Sequence, residues 1–124
     1  GVVRAPWLRP ADLRAAAAAA DACVNLRYPA AGETSGIAIR LMGMGKPVIL
    51  SSGDENLRYP ETACLRVDPG PAEPAMLLEQ MLFAARFPLL AREIGARAAA
   101  HIAARHAPAA AAASYWEVLC ACRS

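Results

Sequence analysis

The chain has 124 residues and a formal net charge of +2, which makes it one domain or a piece of one with too little positive charge for a polyanion such as nucleic acid to be its partner. Hydrophobic residues make up 56%, but so much of this is alanine that the core is thinner than the figure suggests. No apolar run nears the about 18–20 residues that cross a bilayer and no signal peptide opens the chain, so the expected location is cytoplasmic.

Gly1-Val2-Val3 has no leading Met, which points to a segment excised from a longer protein. Val2–Pro6 leans towards β structure, and Trp7-Leu8-Arg9-Pro10 reads as a turn. Pro10 opens a helix that runs through Asp12 to about Ala20. Asp21 ends it, and Ala22–Leu26 reads as a strand apolar on both faces, as in the middle of a parallel sheet.

The stretch Asn25–Lys46 organises the rest. Tyr28-Pro29 breaks the strand, Ala30-Ala31-Gly32 turns, and Glu33-Thr34-Ser35-Gly36 starts a helix of roughly Ser35–Met44. Thr34 or Ser35 can accept a bond from the first free helix amides. A helix start carries unpaired N–H groups and partial positive charge, so it is a ready anion site, although a bare helix cap would look the same. In open α/β sheets the loop after a strand's carboxyl end is where ligands collect. The stretch therefore reads as a phosphate-and-sugar cradle.

Gly45 suits a C-cap, and Pro47–Leu50 is the next strand. Ser51–Asn56 is a polar loop at its carboxyl end, and Cys64–Val67 is a short strand. After the Asp68-Pro69-Gly70-Pro71 turn, Glu73–Phe87 has helical spacing, with Met76, Leu77, Gln80, Met81, Leu82 and Phe83 among its residues. Pro88 breaks it. Leu89–Arg105 is a second helix with Leu90, Ile94, Ala98 and Ile102 on one stripe, and Pro108 opens a third that ends near Leu119.

This order predicts an α/β chain: a Rossmann-like parallel sheet with flanking helices, right-handed connections and a helical C-terminal tail. With three or four strands, where a doubly wound domain usually has five or six, the expectation is one partial domain over 1–124. Residues 1–70 would be its sheet-and-helix part and 71–124 its C-terminal helices. Cys23, Cys64, Cys120 and Cys122 form no CxxC, and His101 and His106 stand five apart, off one helix face. The expectation is free thiols, Cys23 and Cys64 buried in strands, and no metal site.

In this order and spacing the motifs are similar to those of a known family. "ADACVNLRYP", "GETSG", "GMGKPVILSSG" and "REIGARAAAHIAARHAPAAAAASYWEVL" together resemble the carboxyl-terminal domain of retaining GT-B glycosyltransferases, the group 1, family 4-like class. The resemblance implies a donor-binding domain that holds a nucleotide diphosphate sugar as substrate, with no separate cofactor and no obligatory metal. It implies that Glu33 contacts donor sugar hydroxyls and that the amides of Thr34, Ser35 and Gly36 hold the distal phosphate. The family's second glutamate is missing: eight residues on from Glu33 stands Leu41, and lining up Gly45-Lys46-Pro47 puts Arg40 there. Upstream phosphate-binding basic residues and the amino-terminal acceptor domain would lie outside this chain. The chain alone is then expected to be inactive, and the full enzyme to sit in the cytoplasm with room for peripheral membrane association.

Asn25, Arg27, Arg40, Ser52 and Gly53 are further candidates for the donor site. Arg27 can equally pair with Glu33 or Asp54. Arg40 can face a phosphate, a partner domain or plain solvent. Ser51, Ser52 and Gly53 let a ligand approach or simply turn the chain, and Glu55 reaches a sugar hydroxyl or is only solvated. Lys46 reads as structural, Tyr115 and Trp116 as packing against the sheet, and His101 and His106 as helix-surface or capping residues. The competing function is a non-catalytic α/β interaction or dimerisation module. A homodimer of this chain is expected from the unpaired sheet edge. A receiver-like domain fits poorly: it would need clustered acids after an early strand and an acceptor Asp at a central strand's end, and the chain has Arg4 after the first run and Asn25 within the second.

Overall fold

The computed structural model describes residues 1–29 and 32–122, so the Ala30-Ala31 part of the predicted turn lies outside the described residues. In chain order the elements are α1 (Pro10–Ala19), β1 (Cys23–Asn25), α2 (Gly36–Gly43), β2 (Val48–Ser51), a 3-10 turn (Glu61–Ala63), β3 (Leu65–Val67), α3 (Glu73–Arg86), α4 (Pro88–Arg105) and α5 (Pro108–Ala121). The three strands pair in parallel in the order β1-β2-β3. Cys23 stands beside Val48 and Ile49 beside Leu65. The chain is thus mixed α/β, with a small parallel sheet, flanking helices and a C-terminal helix.

Parallel pairing puts all three carboxyl ends on one edge of the sheet, where Asn25, Ser51 and Val67 stand. One face carries Val48 and Leu50 and is packed by Leu41 and Met42 of α2 and by Ala98 and Ile102 of α4. The end of α2 is closed by a Schellman motif: the Gly45 N–H donates to Met42 C=O at 2.9 Å and the Lys46 N–H to Leu41 C=O at 3.2 Å. Gly45 takes φ +75° there, a conformation that costs glycine nothing. Lys46 then reaches back, its Nζ donating to the carbonyls of Ala18 and Ala20 at 2.7 Å each. It satisfies the free end of α1, so its role is structural as expected.

Four expectations need correction. Val2–Pro6 forms no strand, and Val2 and Val3 are exposed. The run Ala22–Leu26 contributes only three residues to the sheet, and Val24 on the second face is 46% exposed. That face is lined towards β3 by Ile49 and Val67, both fully buried, where α3 packs. β1 sits at the sheet's edge, so the coverage does not reach Val24. On α4 the buried stripe is Ala91, Gly95, Ala98 and Ile102; Leu90 is exposed and Ile94 half-buried. Gly95 stands in the stripe because α4 lies against the turn after α2 there: a Cβ on Gly95 would run into the Gly45 carbonyl. Finally, α5 has no buried residue, and Tyr115 and Trp116, expected against the sheet, are 74% and 66% exposed.

The four cysteines are free thiols, Cys23 half-buried in β1 and Cys64 buried just before β3. Burial pushes both thiols above their ordinary range, against the pull of Lys46 on Cys23 and of Arg66 on Cys64.

Candidate functional site

Past the carboxyl end of β1 the chain enters α2 through Ser35, whose backbone is extended while its Oγ accepts from the Ala38 N–H at 3.2 Å. The same hydroxyl donates to Asn25 Oδ1 at 3.1 Å. Ser35 is buried, so one side chain caps the helix and pins it to the end of the neighbouring strand.

In front of this cap lies an open cavity of about 440 Å³, lined by Asn25, Arg27, Ser35, Gly36, Ile37 and Arg40. Gly36, the first residue of the helix, lines this cavity and is exposed, and a Cβ added there would meet nothing within 4 Å. Two guanidinium-bearing side chains flank it. Arg27 is held at its root, its N–H donating to Ser51 Oγ at 2.8 Å, while its Nη2 donates to Glu33 Oε1 at 2.7 Å. Arg40, also lining the cavity, is exposed. A helix N-terminus between two arginines is suited to holding an oxyanion by directed N–H bonds and charge.

The structure brings together five of the nine predicted site residues: Asn25, Arg27, Ser35, Gly36 and Arg40. Glu33 stands at the rim, its side chain 67% exposed and paired with Arg27, which is the structural alternative raised for that arginine. Thr34 lines a different cavity. Ser52 and Gly53 lie outside the first cavity. The Ser52 N–H donates to Val67 C=O at 2.8 Å, and a Cβ on Gly53 would sit 2.8 Å from a Glu55 carboxylate oxygen. The Glu55 carboxylate thus folds back over Gly53, and Glu55 is buried rather than solvated.

Sequence reasoning missed the second cavity, of about 310 Å³, lined by Thr34, Glu55, Arg58, Tyr59, His101, Arg105 and His106. His106 does cap α4, its N–H donating to Ile102 C=O at 2.8 Å, but both histidines also pack on Tyr59. Burial, then the nearness of His106 and Arg105, holds the His101 imidazole below its ordinary pKa. A signal was available: the pentapeptide Asn-Leu-Arg-Tyr-Pro occurs at 25–29 and again at 56–60. Each copy begins at or shortly after a strand's carboxyl end, and each puts its arginine beside one of the two cavities. The tyrosines differ, Tyr28 being exposed and Tyr59 buried.

Among the described residues no group of three or more His, Cys, Asp or Glu is placed to hold a metal ion, and no helix is long and apolar enough to cross a membrane. Compared with protein-family models, with curated proteins and with solved structures, the chain finds no match.

Proposed function

We propose that this chain is the donor-binding part of a retaining GT-B-type glycosyltransferase and that the cavity at the start of α2 takes the diphosphate of a nucleotide sugar. The observation that carries the reading is the Ser35-capped helix start, open at Gly36 and flanked by Arg27 and Arg40 at the carboxyl edge of a parallel sheet. A diphosphate needs several N–H donors and compensating charge in one place, and these residues supply both. Glu33, at the rim, would meet sugar hydroxyls with its remaining carboxylate oxygen while Arg27 fixes the other. Arg40, standing where the resemblance expects a ribose-binding glutamate, would turn towards a phosphate instead. The acceptor domain and the enzyme's catalytic residues belong to the longer protein in this reading.

Calorimetric titration with nucleoside diphosphates and nucleotide sugars tests it. Saturable binding is expected, weakened about tenfold in Gly36→Pro, the loss of one bond to a charged group. Gly36 is the first residue of the helix, a position where proline removes an N–H without breaking the helix. Glu33→Ala should weaken nucleotide sugars more than the bare diphosphate. Silence from every nucleotide would favour the second reading, a non-catalytic interaction or dimerisation module, which the exposed Tyr115, Trp116, Val118 and Leu119 of α5 support.

A further inference from the structure

The second cavity has the makings of a binding site of its own. Its three rings stand at nearly equal spacing, Tyr59 to His101 at 5.9 Å, Tyr59 to His106 at 6.0 Å and His101 to His106 at 5.9 Å. Two further cations, Arg58 from the loop after β2 and Arg105 from the last turn of α4, complete the wall. Both are exposed, and neither forms an ion pair among the described residues. Glu55 is the single carboxylate on the wall. With both histidines neutral the wall carries one net positive charge, and with both protonated it carries three.

A second, independent feature points to a ligand. Tyr59 is only 2% exposed and lines this cavity, yet its hydroxyl is buried with no hydrogen-bond partner among the described residues. Buried hydroxyls are nearly always paired. The loop that carries it is anchored at its backbone: Arg66 Nη2 donates to the carbonyls of Asn56 at 3.0 Å and Tyr59 at 2.6 Å.

We propose that this cavity binds a phosphate group, free or as the monoester of a small hydroxylated molecule, between Arg58, Arg105 and the two histidines. Tyr59 donates its unpaired hydroxyl to a phosphate oxygen, and Glu55 accepts from a hydroxyl of the ester. The site is separate from the cradle before α2, sharing none of its residues, and does not rest on the donor-site reading. Binding couples to pH through His101, on which the bound anion favours imidazolium against the burial that lowers its pKa. Arg58, Arg105, His106 and Glu55 face the same anion.

The test follows the ring protons of His101 and His106 by NMR while the full chain is titrated with inorganic phosphate, glycerol 3-phosphate and sulfate. Saturable shifts of both rings are expected for phosphate. Tighter binding of glycerol 3-phosphate assigns the ligand as a hydroxylated ester, and equal or weaker binding assigns free phosphate. Sulfate keeps its double charge across the range, so its tighter binding at about pH 6 than at about pH 8 reads the histidines alone. Arg58→Gln and Arg105→Gln, both at exposed positions, should each weaken binding about tenfold, and Tyr59→Phe should weaken it while leaving the fold intact. Glu33→Ala should leave it unchanged, which separates this site from the cradle. No saturable shift up to roughly 50 mM phosphate, shifts reproduced by sodium chloride at the same ionic strength, or undiminished binding in both arginine variants would overturn the proposal.

Discussion

The Ser35 hydroxyl ties α2 to β1 by accepting from one element and donating to the other. Ser35→Ala should therefore cost about 1–2 kcal/mol, the upper part of the range for a lost N-cap, because Asn25 loses its partner as well. Denaturant melts would show it, and a loss indistinguishable from zero would mean that the cap contributes nothing. Gly95 acts by the opposite means, through the absence of a side chain. Gly95→Ala would drive a methyl into the Gly45 carbonyl and push α4 off the sheet, a cost of about 1–3 kcal/mol as for overpacked cores, although alanine is the better helix former. His101 gives a pH dependence with a definite sign. Its pKa is lowered in the folded state by burial and by His106 and Arg105, so its contribution is fully present above the unfolded value of about 6.5 and is lost as pH falls through the lower folded one. His101→Gln should flatten the fall in thermal stability just below that pH, and an unchanged slope would show that other groups carry it.

At the scale of elements, the punctuation residues made most of the fold legible. Pro10, Pro88 and Pro108 each stand first in a helix, and Gly45 marks where α2 ends. Three of the short apolar runs became strands within a residue or two of where they were expected, and five of the nine predicted site residues met in one cavity. The misses share a cause: periodicity tells which residues are apolar, but not which neighbour arrives to cover them. Val24 looks like a buried strand residue and is bare because β1 lies at the edge. The α4 stripe was shifted because a glycine, which has no hydropathy to read, makes the closest approach. The histidine cavity was hidden because Tyr59 and His101 are 42 residues apart in the chain and meet only once α4 packs on the 3-10 turn. α5 was expected to pack and does not, so its amides should exchange with solvent far faster than those of α4. Comparable protection in both helices would show that α5 is held after all.

The molecule as a whole leaves much apolar surface in water, from Val24 at the sheet edge to Tyr115, Trp116, Val118 and Leu119 on α5. Such surface drives association at roughly 25 cal/mol per Å² buried, and an open parallel edge invites a second strand. Sedimentation equilibrium at micromolar concentration should find a dimer that Trp116→Ser weakens, whereas a single monomeric species would refute the expectation. On the proposed donor-site reading the chain should also transfer no sugar unaided, because positioning two reactants can account for about 7–11 kcal/mol of barrier and a donor half-site would position only one. The central claim is narrower than either, that the start of α2 is a diphosphate cradle. Backbone amide NMR during titration with a nucleoside diphosphate tests it most directly. The account predicts the largest shifts at Ser35, Gly36 and Ile37, with the Arg27 and Arg40 side chains moving in step and the shifts of Ser35 and Ile37 needing about tenfold more ligand in Gly36→Pro; saturable binding that leaves these amides unmoved would contradict it.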